Sequence, residues 1–281
     1  MPMSRTWLIT GASSGFGRGL VETLLARGER VAAMVRRADA LADLQTLHGE
    51  ALHVFQLDLR DSAAVREVVA QAFQTLGRID VLISNAGYGT LGAAEAATDA
   101  QVRAVIDTNL IGSITLIQAA LPHLRRQGGG HVVQVSSEGG QIAYPGFSLY
   151  HASKWGIEGF VEAVAQEVAG FGIHFTLAEP GPARTNFGAA LVRTDIPSDY
   201  AGTPVDALSR ALDDGSWVII GDPERMVAAM IACTEQSPPP FRLVMGGSAY
   251  HAIRDALTTR LAALENQRDI AFSTDYPEAV A

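Results

Sequence analysis

The chain has 281 residues, of which 48% are hydrophobic and 18% are charged, a balance that permits a large core and excludes an intrinsically disordered protein. Its formal net charge of −9 argues against nucleic-acid binding, which needs a basic face. The single cysteine, Cys233, excludes an intrachain disulfide framework and a cysteine-based zinc cluster, and the seven histidines show no metal-ligand spacing.

Targeting and membrane segments are not expected in this sequence. No apolar run approaches the ~18 residues that a membrane span needs. The first residues lead within a few positions into the strand-like stretch TWLIT, which leaves no room for a signal peptide. We therefore expect a cytoplasmic protein without a metal site, in which Cys233 packs into the core.

Short β-branched runs alternate with longer helical patterns along the chain. The first helical pattern places Leu20, Val21, Leu24 and Leu25 on one face, and a second pattern over 61–77 repeats this design. Such alternation implies right-handed βαβ crossovers. We predict an α/β fold, a doubly wound, Rossmann-type parallel sheet with helices on both faces and seven strands over 7–10, 30–35, 53–59, 80–87, 131–137, 174–180 and 241–246.

The domain organisation is predicted to be a single domain over residues 1–281, without internal repeats or a low-complexity linker. Residues 181–221 break the alternation, because they carry five glycines and three prolines and show no clean period. We predict that they form a small substrate-binding lobe over the sheet edge. Residues 249–281 are predicted to form a C-terminal helical tail.

The first predicted strand runs directly into TGASSGFG, which contains Gly11, Gly15 and Gly17. A glycine-rich turn at this junction lets backbone N–H groups approach a pyrophosphate and directs a helix N-terminus toward its negative charge. The alternative is an ordinary strand-to-helix turn, since spaced glycines alone are weak evidence. The position at the first strand-to-helix junction favours dinucleotide binding.

Lys154 is the only lysine of the chain, and it follows Tyr150 by four residues. Residues four apart share one face of a helix, so a helix from about residue 150 brings the two side chains together. Lowering a tyrosine pKa from about 10 to about 7 requires roughly 4 kcal/mol, which one positive charge at ~4 Å supplies at an effective dielectric constant of ~20. We predict that Lys154 lowers the pKa of Tyr150 and that this phenol exchanges a proton near neutral pH. The alternative is a chance placement of the lysine.

Several motifs follow one another in a recognisable order. The turn has the spacing T-G-x-x-x-G-x-G, and NAG at 85–87, Asn109, Ser137, YHASK and PG at 180–181 come after it. This set resembles the short-chain dehydrogenase/reductase family over residues 5 to about 185. The stretches EPGPART and MVRRADAL are most similar to the branch with 17β-hydroxysteroid and retinol dehydrogenases. The resemblance implies an NAD(P)-dependent oxidoreductase with the catalytic residues Asn109, Ser137, Tyr150 and Lys154.

The same resemblance implies a role for individual residues. Ser137 would orient the substrate carbonyl, and Ser136 is the weaker candidate because adjacent strand residues face opposite ways. Lys154 would bridge the nicotinamide ribose hydroxyls. The backbone carbonyl of Asn109 would hold a water that links Lys154 to solvent. The alternative is that Asn109 is simply a tolerated polar residue. His151 is expected to point away from this face. The implied cofactor-binding residues are Gly11, Ser13, Ser14, Gly15, Phe16, Gly17, Arg36, Arg37, Asp58, Leu59, Asn85, Ala86, Gly87, Tyr150, Lys154, Pro180, Gly181 and Thr185.

The end of the second predicted strand favours the phosphorylated cofactor. Where NAD enzymes of this topology place an acidic residue on the adenosine ribose, this chain has Arg36 and Arg37, whose guanidinium groups match a 2′-phosphate. The alternative is two solvated arginines. Ser14 stands where some family members that use this cofactor carry a basic residue. We predict NADP(H), with NAD(H) less favoured, and the resemblance places Asp58 near the adenine amine and Asn85 in the cofactor cleft.

We predict an oxidoreductase that transfers hydride between the nicotinamide and a carbonyl or secondary alcohol, with a bulky apolar ketone as substrate. Two alternatives are an NAD-dependent alcohol dehydrogenase of the same family and a dinucleotide-binding regulator without turnover.

Helices after strands four and five pair between subunits in this family, and an apolar stripe over 157–168 predicts a homodimer or homotetramer. We expect neither nucleic acid nor membrane as a partner. The residues predicted to line the pocket are Tyr88, Leu91, Tyr144, Phe147, Phe187, Leu191, Tyr200 and Trp217.

Overall fold

A seven-stranded parallel sheet forms the centre of the molecule in the computed structural model, which describes residues 4–276. The first strand pairs on both sides, since Trp7–Ile9 lie beside Val31–Ala33 on one edge and Val81–Ile83 on the other. The strand order is β3-β2-β1-β4-β6-β7-β9. These strands are β1 (Thr6–Thr10), β2 (Arg30–Val35), β3 (Leu52–Gln56), β4 (Val81–Ser84), β6 (Gly130–Val135), β7 (Ile173–Pro180) and β9 (Arg242–Met245), while β5 (Thr90–Leu91) and β8 (Val192–Arg193) form a separate pair.

Helices cover both faces of the sheet, and the alternation of side chains along each strand decides which helices a residue meets. In β1, Trp7 and Ile9 join one core cluster, and Leu8 between them joins the other. The first cluster includes α1 (Gly15–Ala26), α2 (Ala42–His48) and α8 (Pro223–Cys233), and the second includes α3 (Ser62–Leu76), α5 (Gly112–Arg126) and α6 (Ser148–Val168). The predicted doubly wound architecture is therefore confirmed.

All seven predicted strands are present, but four of them end earlier than predicted, the last by a single residue. The third, fourth and fifth predicted strands ran into polar residues, and the structure places those residues in loops. Asp58, Asn85 and Ser137 consequently lie just beyond the carboxyl ends of β3, β4 and β6. In parallel sheets of this type, this edge is where ligands bind.

Residues 181–221 have more regular structure than the sequence suggested. They contain β8 and a helix, α7 (Pro204–Asp213). The strand β8 pairs with β5 in a two-stranded parallel sheet, in which Thr90 lies beside Val192 and Leu91 beside Arg193. The lobe is thereby attached to the loop that follows β4.

The predicted C-terminal tail consists of α9 (Gly247–Glu265) and α10 (Arg268–Ser273) as far as the structure describes it, and its last five positions, 277–281, lie outside the described residues.

By length and composition alone, one helical stretch in the described part of the chain, Asp99–Arg126, could cross a membrane, with a mean hydropathy of 1.4. This stretch joins α4 (Asp99–Ile106), a π-helical turn (Asp107–Ile111) and α5. Leu116 and Ile117 of α5 are completely buried in the core.

The apolar stripe on α6 is not the outward face that the sequence analysis expected. Its members pack into the core of the same subunit, because the helix lies across the sheet with this side inward. They are Ile157, Phe160, Val161, Val164 and Val168. The predicted assembly stays a prediction, but this stripe does not support it.

Candidate active site

The glycine-rich turn between β1 and α1 has the geometry of a phosphate cradle. Gly11 and Gly15 have φ angles of 65° and 53°, a region that favours glycine. A Cβ atom on Gly17 would lie 2.2 Å from the carbonyl oxygen of Gly11, so only glycine fits there. Ser13 and Ser14 are exposed, and α1 has no acidic residue in its first turn. The residues present therefore fit a bound pyrophosphate at the helix N-terminus.

Asn85 supports this turn from the neighbouring strand. Its side-chain amide donates hydrogen bonds to the carbonyl oxygens of Thr10 (3.0 Å) and Gly11 (3.3 Å). The hydroxyl of Thr10 accepts from the backbone N–H groups of Asn85 and Ala86 in return. Asn85 was predicted to line the cleft, and the structure gives it a second task, which is to fix the turn against the end of β4.

The adenosine side of the cleft contains the two predicted arginines and one that the sequence analysis missed. Arg36 and Arg37 are exposed at the end of β2. Arg60 contacts the carboxylate of Asp58 at 2.6 Å, and this hydrogen bond lowers the pKa of Asp58. Burial raises the pKa of Tyr88, and the charges of Arg60 and Arg36 oppose that rise. Tyr88 was predicted to line the substrate pocket, and this position stays a prediction.

Lys154 and Tyr150 are both buried on α6, and the lysine is only 4% exposed. The ammonium Nζ donates to the carbonyl oxygen of Val135 at 2.9 Å and lies 5.6 Å from the centroid of the Tyr150 ring. Burial lowers the pKa of Lys154 to about 8, while the negative charge of Glu158 acts in the opposite direction. Lys154 is thus held in a fixed position at the end of β6.

The predicted pKa shift of Tyr150 is wrong in sign for the protein without ligands. Burial raises the pKa of Tyr150 to about 12, and the nearby hydroxyl of Ser137 opposes this only in part. The physical reason is that removing the phenolate from water is costly, and the Lys154 ammonium is directed to the carbonyl oxygen of Val135. Tyr150 is therefore a protonated phenol at neutral pH in this structure.

Asn109 lies in the π-helical turn rather than in a regular helix. Its side-chain amide donates to the carbonyl oxygen of Tyr88 at 2.8 Å and to Ser153 Oγ at 3.1 Å, and its oxygen accepts from the N–H of Tyr88 at 3.1 Å. A Cβ atom on Gly87 would lie 3.2 Å from Asn109 Oδ1 and 3.8 Å from Lys154 Nζ. Asn109 therefore lies close to the lysine, and the irregular turn changes the backbone hydrogen-bond ladder at this point.

A buried charge network lies behind the lysine, and the sequence analysis did not find it. Arg242 of β9 contacts Glu158 of α6 at 2.7 Å and also contacts Glu179 of β7. Ser136 donates to Glu158 Oε1 at 2.5 Å, so this serine points away from Ser137. Glu158 and Glu179 are 3% and 0% exposed. The shared guanidinium compensates the two buried carboxylates.

An apolar cluster covers Tyr150 on the side of the lobe. The cluster consists of Tyr150 with Leu91, Phe147 and Leu208. Packed against it are Tyr144 and Leu191. Five of the predicted lining residues therefore lie here: Leu91, Tyr144, Phe147, Leu191 and Phe187. The Phe187 ring centroid lies 5.6 Å from that of Tyr150. Tyr200 and Trp217 are not members of this cluster. Leu208 and Leu212 of α7 belong to it and were missed, although their spacing of four residues on a helix could have revealed them.

The turn after Ser137 brings three further polar groups to the site. The phenol of Tyr144 donates to Glu138 Oε1 at 3.1 Å. His151 is buried, its Nδ1 lies 2.9 Å from the carbonyl oxygen of Gly139, and its Nε2 accepts from the N–H of Tyr144. Burial lowers the pKa of His151. Glu138 and His151 were both missed as site residues.

The remaining predictions about this part of the chain concern Ser137, the Pro180–Gly181 turn, Thr185 and metals. Ser137 Oγ accepts from the N–H of Gly139 at 3.1 Å, and its hydroxyl lies next to Tyr150. Gly181 donates its N–H to the carbonyl oxygen of Met245. Thr185 is the nearest contact for a Cβ atom on Gly15, at 3.9 Å, so it faces the phosphate turn.

Among residues 4–276, no group of three acidic, histidine or cysteine side chains could hold a metal ion.

Comparisons with known proteins agree with this geometry. A family model described as short chain dehydrogenase matches residues 5–195. Oxidoreductase BOA17 of Botryotinia fuckeliana (strain B05.10) is 34% identical over 273 residues, which are 97% of this chain and 100% of the relative. Retinol dehydrogenase 8 of Homo sapiens is 34% identical over 257 residues, which are 85% of this chain and 80% of the relative.

Solved structures show the same similarity over nearly the whole chain. The crystal structure of a short-chain dehydrogenase from Streptomyces avermitilis matches with a TM-score of 0.90 at 36% sequence identity. The match covers 98% of this chain and 100% of that chain, so it includes the lobe and the described part of the C-terminal tail. The similarity to a retinol dehydrogenase confirms the branch that the motifs EPGPART and MVRRADAL predicted.

Proposed function

The chain belongs to the short-chain dehydrogenase family and is an NAD(P)-dependent oxidoreductase, and from this premise we propose that it uses NADP(H) to reduce a bulky apolar ketone to the secondary alcohol. One observation carries the proposal most directly. The buried phenol of Tyr150 lies next to the Ser137 hydroxyl, under an apolar cluster of the lobe and beside the fixed ammonium of Lys154. This combination suits a carbonyl that must be held, protonated and shielded from water.

When bound, the nicotinamide cofactor would supply the hydride for the carbonyl carbon. Tyr150 supplies the proton to the carbonyl oxygen, because a phenol with a pKa near 12 is a donor and not a base at neutral pH. Ser137 donates a hydrogen bond to the same oxygen and fixes its position. Lys154 stabilises the phenolate that remains, and its ammonium would hold the nicotinamide ribose hydroxyls.

The preference for the phosphorylated cofactor rests on the end of β2. Arg36 and Arg37 are exposed there, and within the described residues, 4–276, Arg37 pairs only with Asp39, at 3.8 Å. Two solvated guanidinium groups match the charge and the planar acceptor geometry of a 2′-phosphate. Arg60 is already engaged with Asp58, so it contributes positive charge to this side without a free fork of donors.

A panel of ketones with the NADPH absorbance as readout tests the function. We expect turnover of ketones with large apolar substituents, and a fall in kcat of at least ~10²-fold for Tyr150→Phe. NADPH binding, followed by fluorescence, should persist in this variant. Tyr250→Phe is the matched control, because Tyr250 is exposed on α9. NADPH binding without turnover of any ketone would instead indicate a regulator, and an active Tyr150→Phe protein would refute the role of the phenol.

Assembly and location are part of the same proposal. We infer a homodimer or homotetramer, since α5 and α6 are the helices that pair in this family. A groove between them is lined by Leu121, Pro122, Val168 and Phe171. The single cysteine is buried in the core cluster of α8, which suits a reducing compartment, and we infer a cytoplasmic protein.

A further inference from the structure

Glu138 is a buried carboxylate that follows Ser137 directly in the sequence. It is 5% exposed and begins a short 3₁₀ turn, Glu138–Gly140. Its Oε1 accepts a hydrogen bond from the Tyr144 phenol at 3.1 Å. Within residues 4–276, no group donates a hydrogen bond to Oε2, and no cationic side chain pairs with this carboxylate. One of its two oxygens is therefore available.

The surroundings of Glu138 place it at the edge of the proposed substrate pocket. The ring of Tyr144 packs against the apolar cluster and lies 5.7 Å from the ring of Phe147, while its hydroxyl reaches Glu138. The charge of Glu138 acts on Tyr150, whose pKa it helps to raise. On the other side, a Cβ atom on Gly181 would lie 3.3 Å from Glu138 Oε2. The carboxylate thus lies between Tyr144 and the Pro180–Gly181 turn.

The other buried carboxylates of this region show how unusual this arrangement is. Glu158 and Glu179 share the guanidinium of Arg242, as expected for charges removed from water. Glu138 has only a neutral phenol as partner, and burial raises its pKa. Glu138 Oε2 is not among the fully buried atoms without a partner, so this oxygen can be reached from outside. The open oxygen of this residue, which follows Ser137 in the sequence, is a place where a substrate group can bind.

We propose that Glu138 recognises the substrate, accepting a hydrogen bond from a hydroxyl or ammonium group that the substrate carries near its reacting carbonyl. The proposal rests on the proposed function and refines it. Leu91, Phe147 and Leu208 contact the hydrocarbon part, Ser137 and Tyr150 bind the carbonyl oxygen, and Glu138 distinguishes hydroxy- or aminoketones from plain ketones. A hydroxyl needs the acceptor only, whereas an ammonium also compensates the buried charge.

Three matched probes test the proposal: 2-octanone, 1-hydroxy-2-octanone and 1-amino-2-octanone, assayed with NADPH. For the unmodified protein, we expect kcat/KM for the hydroxy- or the aminoketone to exceed that for 2-octanone at least tenfold. In Glu138→Leu, this ratio should fall to about one. Glu138→Gln keeps an acceptor but loses the charge, so it should retain a preference for the hydroxyketone and lose one for the aminoketone. Because each ratio compares substrates on one preparation, partial misfolding lowers both rates and leaves the ratio unchanged.

The possible results distinguish a failure of the recognition role of Glu138 from a failure of the proposed reductase function. Reduction of all three ketones with a ratio near one, or a ratio that Glu138→Leu does not change, would overturn the inference and leave the reductase function intact. NADPH binding without reduction of any ketone would overturn both. If Glu138→Leu fails to fold, Glu138→Gln decides. A retained hydroxyketone preference together with a lost aminoketone preference supports the inference, whereas an aminoketone preference equal to that of the unmodified protein overturns it.

Discussion

Glu158 follows Lys154 by one turn of α6, and the buried carboxylate opposes the loss of charge that burial imposes on the lysine. The pKa of Lys154 is about 8, so its protonated form declines just above neutral pH. The carboxylate is in turn held by Ser136 and Arg242. The charge state of the lysine therefore depends on residues from a helix, a loop and a strand.

Replacing Glu158 by glutamine should shift the pH dependence of the reaction. Without the negative charge, the pKa of Lys154 falls further below its ordinary value, so the ammonium is lost at lower pH. We expect the alkaline limb of the kcat/KM profile to move to lower pH by about one unit. Glu162→Gln is the matched control, since Glu162 also contacts Arg242 but is exposed. An unshifted alkaline limb in Glu158→Gln would show that the carboxylate serves the fold alone.

Replacing Lys154 by arginine tests whether the shape of the cation matters. The ammonium is buried and directed at the carbonyl oxygen of Val135, and a planar guanidinium cannot occupy the same space with the same contact. We expect kcat/KM to fall at least ~10²-fold, equal to about 2.7 kcal/mol. The measurement is steady-state kinetics with NADPH, and Arg225→Lys shows the effect of a cation exchange at an exposed site. Near-native rates for Lys154→Arg would mean that any positive charge suffices.

Cofactor choice should depend on the two arginines after β2. We expect NADPH to bind at least tenfold tighter than NADH, which corresponds to about 1.4 kcal/mol. Arg37→Asp combined with Arg36→Ala should remove or reverse this preference, because a carboxylate repels the 2′-phosphate and accepts from the ribose hydroxyl. Calorimetric titration with both cofactors measures the ratio. Equal affinities for the unmodified protein would contradict the assignment.

His131 should make the stability of the protein sensitive to acid. Burial lowers its pKa from 6.5 to about 4, and its Nε2 lies 2.9 Å from Thr176 Oγ1. The folded state disfavours the charged imidazole, so this contribution to stability is complete above pH 6.5 and is lost as pH falls toward 4. The loss is about 3 kcal/mol in the free energy of unfolding. Urea titrations of His131→Gln should show a decline smaller by this amount, whereas His251→Gln, at an exposed position on α9, should behave like the unmodified protein.

The assembly prediction has a direct measurement. Light scattering at micromolar concentration should give the mass of a dimer or a tetramer. Ile111, which precedes α5 and is 41% exposed, should lie near the expected contact, so Ile111→Glu should lower the measured mass. Ile220→Glu, at a residue that is 67% exposed in the lobe, is the control and should not. A monomeric mass for the unmodified protein would contradict the prediction.

The sheet could be predicted from the sequence because each strand is a short apolar run followed by a helical period, as at Trp7–Ile9 and α1. The pairing of Tyr150 with Lys154 could be predicted because it depends only on helical spacing. The partners of Arg242 could not, since Glu158 and Glu179 come together only through the order of β6, β7 and β9 and, in sequence, resemble solvated charges.

Three other features could not be predicted from the sequence, for related reasons. The sign of the pKa shift of Tyr150 depends on its burial, which no local spacing reveals. The pair of β5 and β8 joins two-residue strands about a hundred positions apart, too short to leave a pattern. The structured lobe was hidden because its glycines and prolines masked the helical period of α7, although Val205 and Leu208 form the start of a buried stripe.

The close approach of Gly140 to Glu158 has an evolutionary consequence. A Cβ atom at position 140 would lie 1.8 Å from Glu158 Oε1, so even alanine would collide with the carboxylate that accompanies the lysine. The two positions are therefore not free to vary separately. In an alignment of relatives, we expect covariation between them, with larger residues at 140 found only where the residue at 158 is short.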